Sequence, residues 1–377
     1  MILHRNRIGL CLCIAFLGTV ASAPSLLACS VPVFRYAMEH WPADHYEAIV
    51  FHRGPLSVAQ QSMVHDLGPE GKAGLVHANL SLRIVDLDGE TTKDVLDFWR
   101  QFGTETLPWL VVRYPSAIHL PVNIWSGPLT ELAVQQLLDS PTRKEIAHRL
   151  GRGESAVWLL LEAGDRSKDE AAAELLKSRL AYLAGVLKLP KLELQDIANG
   201  LVSVSDNELR LEFSLLRLSR NDPSEQAFVA MLLGTEADLK ESQEPIVFPI
   251  FGRGRALYAL IGKGINHETI DEGASFLIGR CSCQVKELNP GVDLLFAAKW
   301  ETGKKKDAAS GSNASTLADR AESIPETVTI SGSDATAASS RVSPNSSRIP
   351  PISGIALVGG FAAVALLAAF AFLSGKK

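Results

Sequence analysis

The chain has 377 residues, and its 37 basic and 42 acidic side chains give a formal net charge of −5. With 46% hydrophobic and 21% charged residues, the composition is that of an ordinary soluble domain and excludes a surface built to bind a polyanion. We therefore expect no nucleic-acid partner, and the length allows two domains of ordinary size.

The N-terminus has the features of a secretory signal peptide. Basic residues at His4, Arg5 and Arg7 precede an apolar stretch, 8–20, that is too short to span a membrane comfortably. The sequence Leu-Leu-Ala-Cys that ends at Cys29 is similar to a bacterial lipobox, in which the cysteine thiol is acylated and begins the mature chain. The alternative is an ordinary signal followed by a structural cysteine. Both interpretations predict a signal peptide at residues 1–28.

Residues 29–150 alternate strand and helix signals. Trp41-Pro42 and the neighbouring aromatic residues predict a docking segment ahead of the first strand. Apolar runs and periodicity then predict strands at 46–51, 80–86, 109–114 and 120–125, and helices at 56–67, 91–102 and 129–138. The order is βαβαββα, which predicts an α/β domain. Pro108 lies just before a buried strand, a position where a cis peptide bond costs little.

This order and these residues resemble the thioredoxin-like fold. Residues 80–108, LSLRIVDLDGETTKDVLDFWRQFGTETLP, match the middle of that pattern, with Pro108 at the family's cis-proline. Catalytic thioredoxins carry C-x-x-C between the first strand and its helix, where the helix N-terminus lowers the thiol pKa. Here that place, residues 52–57, reads HRGPLS. The resemblance therefore implies a domain without the redox pair that keeps a groove for an extended peptide beside Leu107 and Pro108.

Residues 151–300 repeat the scheme. Strands are predicted at 156–161, 211–218, 246–251 and 256–261, and helices at 168–187, 224–233 and 269–278. Pro245, which follows Glu244, is the counterpart of Pro108, and the thiol position at 164–169 again lacks cysteine. The resemblance implies two tandem degenerate thioredoxin-like domains, 29–150 and 151–300, with Glu244 and Pro245 beside a second groove.

Three cysteines remain after the predicted signal peptide: Cys29, Cys281 and Cys283. Three is an odd number for an oxidising compartment. Cys281 and Cys283 could form a redox pair or supply soft metal ligands. Alternatively, one of them pairs with Cys29 and staples the N-terminal segment to the end of the second domain, or the thiols stay unpaired. No other catalytic motif stands out, and we predict no cofactor and no metal.

The last 77 residues change in character. Residues 301–352 are rich in Ser, Thr, Ala and Pro, cannot bury a core, and are predicted to be a disordered linker. Residues 353–373 are uncharged and mostly apolar, and about 20 such residues span the roughly 30 Å of a bilayer core. Lys376 and Lys377 in the tail 374–377 predict, by the positive-inside bias, that the C-terminus is cytoplasmic.

Together these features predict a single-pass protein of the bacterial cell membrane whose folded part lies in the periplasm. We predict a non-catalytic binding or scaffold protein with a protein or peptide partner in the cell envelope. The alternative is an enzyme, a thiol-disulfide oxidoreductase, or a redox sensor that acts through Cys281 and Cys283.

Overall fold

The computed structural model describes residues 29–71, 77–116, 123–205, 208–281, 284–300 and 327–331. The predicted signal peptide at 1–28 and the predicted span at 353–373 lie outside these residues. Within the described part of the chain, no helix combines the length and the apolar character needed to cross a membrane. The fold is mixed α/β with two sheets, one in the first half (residues 29–151) and one in the second half (residues 152–300), to which Thr327–Ser331 adds a strand.

The first half builds a four-stranded sheet. Its elements are α1 (Val33–His40), β1 (Tyr46–His52), α2 (Val58–Leu67), β2 (Leu80–Asp86), α3 (Lys93–Arg100), β3 (Trp109–Arg113), β4 (Asn123–Pro128), α4 (Glu131–Leu138) and α5 (Pro141–Gly151). β1 pairs in parallel with β2 and antiparallel with β3, and β3 pairs with β4, so the order is β2-β1-β3-β4. The predicted βαβαββα order is confirmed.

The second half repeats this pairing in a larger sheet. Its elements are β5 (Ala156–Glu162), α6 (Arg166–Val186), α7 (Leu194–Ala198), β6 (Glu212–Ser219), α8 (Gln226–Leu233), β7 (Ile246–Phe251), β8 (Arg255–Ala256), β9 (Leu260–Ile261), α9 (His267–Ile278) and β10 (Val292–Asp293). β5 is parallel to β6 and antiparallel to β7, and β8 lies beyond β7. The core order β6-β5-β7-β8 therefore matches β2-β1-β3-β4 of the first half.

The predicted strand at 256–261 is instead divided into the two short strands β8 and β9. Both pair with β7, β8 at Ile250 and Phe251 and β9 at Ile246 and Val247. Pro249 lies between these two sites, and proline has no N–H to donate to a ladder. The interruption therefore has a local cause within β7.

The main hydrophobic core lies between the two sheets. It combines side chains from β1 and β3, such as Val50 and Leu110, with side chains from β5 and β7, such as Leu159 and Phe248. The described residues all belong to one compact unit, so the predicted boundary at 150/151 separates two sheets that share one core.

The helix α1 packs on the outer face of the second sheet, although it precedes the first sheet in sequence. Phe34 and Tyr36 belong to the core cluster that contains Trp158 of β5 and Leu277 of α9. Val33 N–H donates to the carbonyl of Gly279 (3.0 Å), which fixes the start of α1 beside the end of α9. The two halves are consequently interleaved.

A C-terminal segment, residues 292–298, runs from the second sheet to the first, and we call it the clasp. It begins as β10 on β8 and makes a bridge between Ala297 and Ala78 ahead of β2. Asn79, 8% exposed, donates from Nδ2 to the carbonyls of Asp44 (2.7 Å) and Leu294 (3.2 Å). Its Oδ1 accepts from Phe296 N–H (2.8 Å). One buried amide therefore joins three distant segments.

Arg143 of α5 holds the clasp from the other side. Its guanidinium is buried and donates to the carbonyls of Leu295 (2.8 Å) and Leu137 (2.7 Å). Burial lowers the pKa of Arg143 to about 10, while the nearby Glu225 carboxylate opposes that shift. The cation therefore stays protonated at neutral pH and caps carbonyls that would otherwise be buried without a donor.

The predicted docking segment ahead of β1 is confirmed, and buried charges hold it. Trp41 is 4% exposed and donates from Nε1 to the carbonyl of Gln284 (3.0 Å). Asp293 in the clasp accepts from Arg255 Nη1 (2.8 Å), Lys286 Nζ (2.6 Å) and Asp44 N–H (2.8 Å). Two cations thus share one buried carboxylate, an arrangement that needs all its partners in place.

The predicted linker at 301–352 is not without structure throughout. Residues Thr327–Ser331 form β11, which pairs antiparallel with β6 at the edge of the second sheet. Thr, Val and Ile are residues that favour strands, and an open sheet edge provides the backbone partners that a short polar segment lacks alone. These five residues are the part of the predicted linker that the structure describes, and they form a strand.

Candidate functional site

The predicted groove in the first half lies where β3 begins, next to the end of β1. The Leu107–Pro108 bond is cis, as predicted, and β3 lies inside the sheet. The register that pairs Phe51 with Trp109 places His52 beside Pro108. Pro108 is buried and its carbonyl accepts from Leu129 N–H (2.9 Å), which fixes the loop.

The N-terminus of α2 starts a few residues after the end of β1, at the position where catalytic thioredoxins hold their thiols. Ser57 caps this helix: its Oγ accepts from Gln60 N–H (3.3 Å), and the Gln60 side chain accepts from Ser57 N–H (2.9 Å). Gly54 has φ 66°, a left-handed value that glycine adopts without strain. The helix start is complete without a thiolate, and no side chain here can act as a nucleophile of that kind.

An aromatic cluster borders the groove on the outer face of the first sheet. Phe98, Trp99 and Phe102, from α3 and the turn after it, pack on the buried Phe51, and Trp109 and Leu107 join them. All but Phe51 are partly exposed. Trp109 Nε1 is buried without an acceptor among the described residues. This surface can accept apolar side chains of a bound peptide.

The backbone of Leu107 is open. Neither its N–H nor its carbonyl hydrogen-bonds to another described residue, although the neighbouring Pro108 carbonyl is paired. An extended peptide that passes the groove would find a donor and an acceptor at this residue. Thr106, two residues before the cis-proline, is exposed, and its N–H donates a hydrogen bond to Thr104 Oγ1 (3.1 Å).

The second predicted groove, beside Glu244 and Pro245, is closed. Arg220 donates to the carbonyls of Ser242 and Glu244, the latter at 3.2 Å. Lys168 Nζ donates to Glu244 Oε1 (2.6 Å) across the same position. Within the described chain the only cis peptide bond is Leu107–Pro108, so Pro245 corresponds to Pro108 in sequence position but differs in bond geometry.

Residues 164–169, where a catalytic thioredoxin domain would carry its cysteines, also form an ordinary helix start. Asp165 caps α6, and its Oδ1 accepts from the N–H groups of Ser167 (3.0 Å) and Lys168 (3.3 Å). A carboxylate at this place is favoured by the helix dipole and satisfies donors that the helix leaves unpaired.

Cys29 and Cys281 both lie in the core beside α1, at 4% and 1% exposure. The Cys29 thiol is free and accepts from Val31 N–H (3.4 Å). Burial, the largest cause, raises the pKa of Cys29, so the thiol is protonated at neutral pH and a weak nucleophile. Lipidation of Cys29 stays a prediction.

Backbone hydrogen bonds join the N-terminal segment to the end of α9, where a disulfide from Cys29 was the predicted staple. Cys281 N–H donates to the Val31 carbonyl (2.9 Å), and Pro32 forms a bridge with Arg280. No disulfide joins Cys29 to a described cysteine. Cys283 lies outside the described residues, so its pairing and its role as a redox or metal-binding residue stay predictions.

The described part of the chain contains no candidate metal site. No group of three or more His, Cys, Asp and Glu side chains there is arranged to hold an ion. The acidic and basic side chains that sequence reasoning missed, Asp293, Lys286 and Arg255, are satisfied by each other and by backbone carbonyls. These buried charges join segments of the chain and offer no binding site. Leu107–Pro108 therefore remains the candidate site.

Comparison with family models, with curated proteins and with solved structures gives no match for this chain.

Proposed function

We propose that the protein is a non-catalytic binding or scaffold protein of the bacterial envelope, with two tandem thioredoxin-like domains that lack the redox pair. The matching strand orders of the two halves and the cis bond at Pro108 support this assignment. The partner is an extended protein or peptide segment that binds beside Leu107 and Pro108.

The observation that carries the proposal is the contrast between the two grooves. The Leu107 backbone has no partner among the described residues and borders a partly exposed aromatic cluster. At Glu244, by contrast, Arg220 donates to the backbone carbonyl and Lys168 donates to the side-chain carboxylate. Peptide recognition by main-chain pairing needs free donors and acceptors together with pockets for side chains. The first half offers both, so it provides the binding site, and the second half serves as its support.

The matched variants Thr106→Arg and Gln243→Arg test the proposal. Both residues are exposed and lie two positions before Pro108 and Pro245, so neither change should disturb folding. Peptides selected from a displayed library on the native chain should bind the Thr106→Arg protein at least about tenfold more weakly, a loss of about 1.4 kcal/mol, because the guanidinium covers the groove. Binding to the Gln243→Arg protein should not change. Fluorescence anisotropy with a labelled selected peptide measures both.

Equal binding to both variants would place the peptide elsewhere and overturn the proposal. Weaker binding to the Gln243→Arg variant alone would move the site to the second half. A melting temperature measured for each variant separates loss of the groove from loss of the fold.

Membrane anchoring is part of the same proposal. The basic and apolar N-terminus, the uncharged stretch at 353–373 and the terminal Lys376 and Lys377 support an exported ectodomain with a cytoplasmic C-terminus. In this arrangement the groove faces the periplasm, where it is available to other envelope proteins.

The catalytic alternative assigns thiol-disulfide exchange to Cys281 and Cys283. Cys281 is 1% exposed, and a sulfur must be reached by its partner for exchange to proceed. We expect insulin reduction in the presence of dithiothreitol to be no faster with the protein than without it. A faster reaction that disappears when both cysteines are replaced with serine would restore the enzymatic alternative.

A further inference from the structure

The strand β11 comes from the middle of a segment whose composition favours disorder. Twenty-six residues of low-complexity sequence, 301–326, separate it from residue 300, yet Thr327–Ser331 has a defined register on β6. Thr327 lies opposite Leu216 and Ser331 lies opposite Glu212. A specific pairing in such a context indicates that β6 selects this segment.

Without β11, the outer edge of β6 would be open. β6 has eight residues, and its other edge is already paired with β5. Phe213, Leu215, Leu216 and Leu218 are buried, so the strand is held rigid between two layers of the core. A long, ordered edge with unpaired N–H and carbonyl groups is a template for any extended chain.

The register of a strand on this edge is bounded by charged groups. Arg217, just beyond the paired residues, donates to Glu162 (2.7 Å) and Glu170 (3.0 Å). At the other end, Arg152, Glu154, Arg210 and Glu212 line a polar pocket. The segment TVTIS carries no charge, and its last residue pairs with Glu212 at the edge of this pocket.

We propose that the β6 edge is a second peptide-binding surface, and that Thr327–Ser331 is its ligand in the same chain, which keeps it closed. When this strand is released, the edge binds an uncharged extended segment rich in β-branched residues, antiparallel to β6. The intervening 26 residues hold the strand near the edge at an effective concentration on the order of millimolar. A segment in trans must therefore compete with it.

A fluorescein-labelled peptide of residues 325–333, PETVTISGS, tests the competition by anisotropy on the full chain. The double variant Val328→Pro and Thr329→Pro removes consecutive N–H groups, one of which must point at β6. We expect the peptide to bind this variant at least about tenfold more tightly than the native chain, because the resident strand no longer competes. The matched control is Ala337→Pro with Ala338→Pro, which lies beyond β11 and should behave as the native chain.

Hydrogen exchange on the same proteins gives a second measurement. Those amides of 327–331 that point at β6 should be protected in the native chain and the control, and the amides that remain should exchange freely in the variant with prolines at 328 and 329. Equal peptide affinity for all three proteins, or failure of the peptide to bind that variant, would overturn the proposal. Protection that appears only as the protein dimerises would also overturn it, and would make a second copy's strand the occupant. The Thr106→Arg change should leave this peptide's affinity unaltered, so failure of the groove would be seen separately.

Discussion

Replacement of Asp293 with asparagine is expected to lower the free energy of unfolding by roughly 3 to 5 kcal/mol, the range for breaking a buried ion pair. Asp293 is 3% exposed and receives hydrogen bonds from Arg255 and Lys286. The amide has the shape of the carboxylate but no charge, so Arg255 would remain buried without a carboxylate partner and Lys286 would keep only Asp44 Oδ1 (2.6 Å). Urea unfolding followed by tryptophan fluorescence measures the loss.

The control is Asp88→Asn. Asp88 pairs with Arg53 at 3.1 Å, but both side chains are more than half exposed. Exposed pairs contribute about 0 to 1 kcal/mol, so this variant should unfold close to the native chain. Similar small losses in both variants would show that the buried network does not hold the docking segment.

The Asn79→Ala variant is expected to lose roughly 2 to 4 kcal/mol, because it removes three hydrogen bonds and leaves two buried carbonyls and one N–H without a partner. Asn79→Asp should be nearly as damaging, since a carboxylate can accept from Phe296 but cannot donate to the carbonyls of Asp44 and Leu294. Thermal and urea unfolding measure both variants.

The control for Asn79→Ala is the same substitution at an exposed asparagine, Asn199. It is exposed and accepts a single side-chain bond from Gln195 (3.0 Å), so Asn199→Ala should change the stability by no more than about 0.5 kcal/mol. If Asn79→Ala cost no more than this control, the clasp would not depend on the amide, and backbone pairing alone would join it to the first sheet.

The order of elements and the cis bond at Pro108 could be predicted because their signals are local. Alternating apolar residues in β2, the helical spacing of Phe98, Trp99 and Phe102, and the position of Pro108 each depend on neighbours in sequence. The division of β7's partner into β8 and β9 could also have been foreseen, since Pro249 stands inside the strand. Ser140 followed by Pro141 is a helix-start signal for α5 that sequence reasoning passed over.

Contacts between distant segments could not be predicted in this way. Nothing near Asn79 in sequence indicates that it meets Phe296, 217 residues later. The closure of the second groove depends on Arg220, which lies on the turn after β6 and reaches Glu244 only in the folded chain. The pairing of β11 with β6 is of the same kind, because composition describes a segment alone and carries no information about a distant sheet edge.

The clasp has a consequence for biogenesis. Residues 292–298 bond to Ala78 and Asn79 just ahead of β2, and α1 packs on the second sheet, so neither half can reach its final packing until nearly all of the folded part has been synthesised. Folding that depends on such distant contacts is slow compared with local helix formation. In the exported arrangement proposed above, the chain would enter the channel N-terminus first, and its leading half would still be unfolded when it arrives. On that proposal, the late position of the clasp would keep the polypeptide competent for translocation.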